Sequence, residues 1–225
     1  MQKLFSYCIP VDDGAAPNPF HGICSLVICK PKIRSTAEPG DWIVATGSQK
    51  LGLENKVVYA MKVTGKIAMK EYDNYCKNQL KGKIPNWRTN NYIDKVGDCI
   101  YDFSEPNNPK LRTPSVHKPD NIKTDLGGKY ALLSNHFYYF GDRANDFELP
   151  EYLLPIVNQR QGHKSDLNAQ YFEDFVTWIS QFEENKLYGE PYYKDWFKSN
   201  VRAEESSFIC SKVRMESAKE EIDNY

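Results

Sequence analysis

The sequence predicts an α+β domain, mostly β-strands through its first two thirds, with helices at the C-terminal end. Three observations carry this. Short apolar runs recur between Pro- and Gly-rich turns as far as Gly141. Beyond Ser165 the apolar spacing becomes helical. Finally, 225 residues with 40% apolar and 13% aromatic content suffice for one substantial domain with a decoration. The boundary falls after His163: residues 1–163 form the main domain and 164–225 a helical extension.

Lys3 to Ile9 alternates and reads as a first strand stopped by Pro10. Asp12 to Phe20 holds two prolines and a glycine, which excludes helix and central strand, so it is a shaped loop. Asp12, Asn18, Phe20 and His21 there offer acceptors, an amide and aromatic faces, the equipment that reads the edge and face of a base. The same Asp12 and Asn18 could instead hold turns through side chain to backbone bonds. Cys24 to Cys29 is a continuous apolar run of buried-strand length. It leads to a basic turn, Lys30, Lys32 and Arg34, a cationic lip suited to phosphate.

Pro39-Gly40-Asp41 then turns the chain into an apolar strand from Trp42 to Ala45, with Trp42 a core anchor. That strand ends in Thr46, Gly47 and Ser48, small polar residues a ligand can approach closely. Lys56 to Thr64 has the clearest period of two, and Gly65 closes it. Ala68 to Tyr75 starts a short helix. In the following loop Lys77, Lys81, Lys83 and Arg88 surround Trp87, a pattern that fits either a phosphate track beside a stacked base or a plain surface loop.

Gly97-Asp98 opens another strand, echoing Gly40-Asp41, and two such turns suit a small barrel. Ser104 to Gly128 carries four prolines and few apolar residues, and reads as a structureless flap in which His117 is solvated. Lys129 to Gly141 reads as one strand ending in exposed aromatics, with Tyr139 as a stacking surface. Ser165 caps a helix with Leu167, Phe172, Phe175, Val176, Ile179 and Phe182 on its apolar stripe, ended by Gly189. Tyr192, Tyr193, Trp196 and Phe197 recur at helical spacing, 208–215 reads as a strand, and the tail from Glu216 is acidic.

Six cysteines lie among apolar residues without C-x-x-C spacing, which argues against zinc and predicts no metal. Cys29, beside Lys30 and Lys32, is read as structural because no His motif lies near it in sequence. Net charge is −1, yet residues 30–95 hold 13 Lys/Arg against 6 Asp/Glu, and 146–225 hold 9 against 16. A basic face opposite an acidic one follows. No apolar run approaches the roughly 18 residues of a membrane span, and the opening residues lack a signal-peptide pattern, so a cytoplasmic protein is expected. P-loop, G-x-G-x-x-G, H-E-x-x-H, zinc-deaminase and G-x-S-x-G patterns do not occur, so no cofactor is expected. The surviving catalytic candidates are Asp12 or Asp13 with His21.

Read together, DDGAAPNPF (Asp12 to Phe20), CKPKIR (Cys29 to Arg34), the GDW turn, VYAMKV (Val58 to Val63), GDCIY (Gly97 to Tyr101) and LLSNHFYYFG (Leu132 to Gly141) resemble the second of the nucleotide modification associated domain families. The GDW turn followed by a strand ending T-G-S is similar to the PUA-like group that includes EVE and ASCH domains. The resemblance implies a PUA-like small mixed β-barrel and a setting in DNA base modification and phage defence. It also implies recognition of a modified base or nucleotide in DNA, for which the residues read above supply Asp12, Asn18, Phe20, Lys30, Lys32, Arg34, Thr46, Gly47, Ser48, Trp87 and Tyr139 as the expected binding set. An enzyme acting on such a base, and a scaffold binding protein partners through the aromatic C-terminal half, are the alternatives.

Overall fold

The computed structural model describes residues 2–160 and 162–198. The expected strand at 208–215 and the acidic tail lie outside them. Ten strands among the described residues build two facing sheets and a separate ribbon instead of a ring. Strands β1 (Leu4–Ile9), β2 (Cys24–Leu26), β3 (Trp42–Gly47), β4 (Val57–Lys62) and β5 (Gly65–Ala68) come first. After them come β6 (Tyr101–Asp102), β7 (Lys110–Leu111), β8 (Tyr130–Ser134), β9 (Phe137–Tyr139) and β10 (Lys186–Leu187). The larger sheet has the order β1-β3-β4-β9-β10 and the smaller β2-β8-β5, with β6-β7 a separate ribbon. In the larger sheet β1 runs parallel to β3 and β10 parallel to β9, and the other pairs are antiparallel.

No closed barrel forms among the described residues, which corrects the small-barrel expectation. Closure requires one continuous ladder around the ring. Here β1 and β10 remain edges of one sheet, and β2 and β5 edges of the other.

The alternation along each strand explains the layers. Phe5 and Tyr7 of β1, Ile43 and Ala45 of β3, Tyr59 and Met61 of β4, and Phe137 and Tyr139 of β9 face one core with Cys24, Leu26 and Leu132 of the smaller sheet. Their neighbours Leu4, Trp42, Val44, Ala60 and Tyr138 face the opposite side, against Phe172, Phe175, Trp178 and Ile179. The outer face of the smaller sheet, through Ala131 and Leu133, packs on Met69, Tyr72 and Cys76. These last three belong to the longest helix of the described residues.

Six α-helices decorate the sheets: α1 (Pro31–Thr36), α2 (Met69–Asn78), α3 (Tyr92–Lys95), α4 (Ile122–Gly127), α5 (Phe172–Ile179) and α6 (Asp195–Lys198). Five local expectations change. Lys129 to Gly141 is not one strand but β8 and β9, which lie in different sheets, and its aromatic end is buried. The basic turn after Cys29 is helix α1, started by Pro31, whose missing N–H costs nothing in a first helical turn. Gly65 opens β5 instead of closing β4. The 104–128 segment is not structureless, since it holds β7 and α4. Finally, 165–189 is not one helix: a 3-10 turn, Asp166–Tyr171, precedes α5, Leu167 is 73% exposed off the stripe, and α5 stops at Ile179. Trp42 is buried against Tyr138 and Phe175, the core role its sequence position predicts.

Candidate active site

Strand β2 leaves the smaller sheet at Leu26, and three residues later the backbone turns sharply into α1. Cys29 and Lys30 both adopt positive φ, 58° and 37°. Neither is a glycine, so each pays the steric cost of the left-handed region. Such strain at a strand-to-helix turn is the device that pushes a nucleophile out of the sheet plane. The side chain so presented is the Cys29 thiol, which is half-buried.

Two residues from the 104–128 segment meet it. Cys29 Sγ lies 3.6 Å from His117 Nε2, and His117 Nδ1 lies 2.5 Å from Asp125 Oδ2. Asp125 also receives the Tyr101 hydroxyl at 2.7 Å on Oδ2, and the backbone N–H of Cys29 at 2.9 Å on Oδ1. One carboxylate thus fixes the imidazole orientation and the backbone of the nucleophile together. His117 and Asp125 are buried, so this corrects the expectation of a solvated His117 in a loose flap, and of a Cys29 without a partner.

The electrostatics follow from these contacts. Burial works against a proton on His117, but the charges of Cys29 and Asp125 and their hydrogen bonds to the ring outweigh it, and the pKa rises to about 10. Burial works against ionised Asp125 as well. His117, the Cys29 N–H and the Tyr101 hydroxyl nevertheless hold it below the ordinary carboxylate range. A protonated ring thus stands between the Cys29 sulfur and a carboxylate, an arrangement that favours an ionised cysteine nucleophile.

The same three side chains could also be considered as metal ligands, since one donor atom of each lies within 4.8 Å of the others. The bonding argues against it. In this bonding Asp125 Oδ2 and His117 Nδ1 are paired with each other, so an ion drawing on Asp125 would compete with the imidazole–carboxylate pair.

Around the thiol the wall is aromatic and cationic. Lys30 Nζ sits 4.3 Å above the Tyr7 ring and donates to the Cys8 carbonyl at 3.3 Å. The Tyr7 hydroxyl shares a 2.8 Å bond with that of Tyr59. His163 packs on Phe5, two residues back along β1, at 5.7 Å between rings, and its pKa is lowered by burial and then by Lys30 and Lys32. Lys32 is exposed on α1.

The sequence candidates separate into several places. Lys30 and the strand tip are neighbours: Cys8 pairs with Thr46, and its Sγ approaches the Gly47 carbonyl. That tip is covered, however. Gln159 donates to Thr46 Oγ1, the Gly47 carbonyl and the Glu54 carbonyl, and a Cβ at Gly47 would overlap Leu53. Ser48 is half-buried before a short 3-10 turn. Arg34, expected on the lip, is wholly buried, because α1 turns it into the core to bind backbone carbonyls.

Asp12 is buried too, accepting from the Tyr139 hydroxyl at 2.6 Å and the Tyr192 N–H at 3.4 Å. Burial, against those bonds, pushes its pKa up to about 7. Tyr139 is therefore interior and not an exposed stacking face. Asp13 accepts from the Ala15 N–H at 3.0 Å. Asn18 is buried with Lys83, whose Nζ lies 2.7 Å from its Oδ1. The turn-holding reading of Asn18 thus agrees with its bonds to Phe20 N, Ser25 N and Val96 O.

Phe20 packs on Tyr92, and Trp87 on Phe197, both in the core beneath the smaller sheet. His21 lies 3.9 Å from Asp94, away from the contacts of Asp12. Asp12 and Cys29 thus both lie within electrostatic reach of the Tyr7 hydroxyl, beside Lys30, whereas Asn18, Phe20, His21 and Trp87 make their contacts elsewhere.

Residues 1–200 match the family model for nucleotide modification associated domain 2. The chain belongs to that family. Comparison with curated proteins and with solved structures gave no match. Membership in the nucleotide modification associated domain 2 family ties the chain to nucleotide modification. Among the described residues of this family member, no helix is long and apolar enough to cross a membrane.

Proposed function

We propose that this domain is an enzyme of nucleotide modification that works through a covalent intermediate on Cys29. The carrying observation is the Cys29–His117–Asp125 constellation, with Sγ to Nε2 at 3.6 Å and Nδ1 to Oδ2 at 2.5 Å. A buried His, ion-paired and aimed at a thiol on a strained turn, exceeds what packing needs.

The steps follow from the charges. With the thiol proton already held on His117 Nε2, the thiolate adds to an electrophilic carbon of the base or of a group carried on it. The imidazolium returns that proton to the departing atom, and transfer of the bound group to water or a second nucleophile frees the thiolate. Asp125 keeps the protonated ring turned with Nε2 toward the sulfur. Lys30 and Lys32 supply positive charge at the start of the helix that follows the thiol, with the His163 ring beside them, which suits the phosphate of a nucleotide or of a DNA strand.

The test is intact-mass analysis after incubation with nucleotides and oligonucleotides carrying natural and modified bases. A mass adduct that maps to Cys29 with one of them, absent in Cys29→Ser, is the expected result. Equal binding by wild type and Cys29→Ser with neither adduct nor product would overturn the enzyme reading in favour of simple recognition of a modified base. Phosphate or a nucleoside monophosphate should also slow alkylation of Cys29, and Lys30→Gln with Lys32→Ala should weaken that protection.

A further inference from the structure

Arg34 is the largest wholly buried side chain in the described structure, and a buried guanidinium needs a structural or chemical reason. Its partners are specific. Nε donates to the carbonyl of Cys29 at 2.8 Å, Nη1 to the carbonyl of Tyr130 at 3.0 Å, and Nη2 to the carbonyl of Asp125. Two of the three carbonyls thus belong to residues of the candidate triad itself. The Cys29 carbonyl it grips follows the φ 58° that aims the thiol, and the Asp125 carbonyl lies near the end of α4, which carries the carboxylate.

We propose that Arg34 is a positioning residue for the Cys29 site: its planar fork ties the strained Cys29 turn to α4 and so sets the distance between thiol and imidazole. The proposal rests on the reading of the Cys29 site given above.

Three features support it. First, Arg34 and Asp125 form a double tie. Asp125 reaches the Cys29 N–H through its side chain, while Arg34 binds the carbonyls of both residues, so each side of the Cys29 peptide linkage is held to α4. Second, the fork uses divergent N–H groups in one plane, which a lysine ammonium cannot reproduce. Third, the path of the guanidinium is kept open by Gly128. A Cβ there would overlap Arg34 Cζ and Nη2, although the backbone of Gly128, at φ −73° and ψ −19°, would accept any residue. The absent side chain is thus explained by Arg34 and not by backbone freedom.

The experiment compares wild type, Arg34→Met, Arg34→Lys and Gly128→Ala. Gly128→Ala displaces the fork while leaving the arginine and the triad unchanged, and it decides the matter should Arg34→Met fail to fold. Cys29 alkylation by iodoacetamide is followed by peptide mass spectrometry across a pH series, beside an unfolding curve for each variant and His117→Gln as reference.

Arg34→Met and Gly128→Ala should lose roughly tenfold or more in rate below neutral pH, in line with the cost of misplacing reacting groups by about 1 Å. Their pH profiles should move toward that of His117→Gln, with Arg34→Lys between. Variants that are less stable but keep the wild-type pH profile would overturn the proposal, leaving Arg34 a purely structural group. A wild-type profile unaffected by His117→Gln would instead overturn the reading of the site on which it rests.

Discussion

Replacing His117 with glutamine removes the positive charge beside Cys29 while keeping a hydrogen-bonding side chain of similar length. With its pKa raised to about 10, His117 is protonated through neutral pH, and the proposed mechanism has the imidazolium holding the Cys29 sulfur as a thiolate. An unperturbed thiol, pKa about 8.5, is only about 0.3% ionised at pH 6. Full ionisation therefore raises the thiolate population by roughly 300-fold. A stabilised thiolate is intrinsically less nucleophilic, with a Brønsted slope of about 0.4–0.5, which reduces the net rate advantage to roughly tenfold.

Alkylation at pH 6, mapped by peptide mass, reads this directly. Cys24, Cys76 and Cys99 are buried and serve as slow internal references. The variant should react about tenfold more slowly than wild type at pH 6, and its rate should overtake the wild-type rate above about pH 8, once its own more basic thiolate forms. Equal rates at pH 6 would refute the claim that His117 activates Cys29.

Three further outcomes follow from the interior. Asp12, raised by burial from an ordinary value near 3.9 to about 7, favours its protonated form when folded. Its contribution to stability is full below pH 4 and is lost as pH rises through 7, up to about 4 kcal/mol. Asp12→Asn should therefore flatten the fall in unfolding free energy between pH 5 and pH 8, measured by denaturant titration; an unchanged slope would contradict this.

Lys83 is buried with its Nζ within 2.9 Å of four acceptors, Asn18 O, Asn18 Oδ1, Ile23 O and Ser25 Oγ, and Ser25 in turn donates to buried Asp98. Lys83→Met leaves that carboxyl and those carbonyls uncompensated, and should cost about 3–5 kcal/mol in the same assay. Gly47→Ala drives a Cβ into Leu53 and should cost about 1–3 kcal/mol without changing Cys29 alkylation, because the overlap is at the strand tip.

Much of the strand content was legible in the sequence, because alternation and turn chemistry are local. β1, β3 and β4 start within a residue or two of where Lys3, Trp42 and Lys56 suggest. Pairing across the molecule was not legible. Whether short strands close into a ring or stack as two sheets depends on which edges meet, and β1 meets β3 in parallel, across 32 residues that hold β2 and α1.

The candidate site was missed for the same reason. Cys29 lies 88 residues before His117 and 96 before Asp125, and no spacing rule links them. The usable signal was a cysteine at the end of an apolar run, directly before a basic residue and a helix-starting proline, in a chain with only four histidines. Arg34 was misread because a charge in a basic cluster resembles surface. Its burial becomes apparent only when α1 is recognised as a helix that turns Ile33 and Arg34 inward. Tyr139 was misread for a related reason, since its hydroxyl is satisfied by Asp12, 127 residues away.

Nitrogen NMR of the His117 imidazole, in wild type and in Cys29→Ser, is the most direct test of the central claim. The account predicts a ring that stays doubly protonated at pH 8 and releases its proton near pH 10, with that midpoint falling markedly when the sulfur is replaced. A ring already neutral at pH 8, titrating near the ordinary histidine value in both proteins, would contradict an ion-paired cysteine nucleophile.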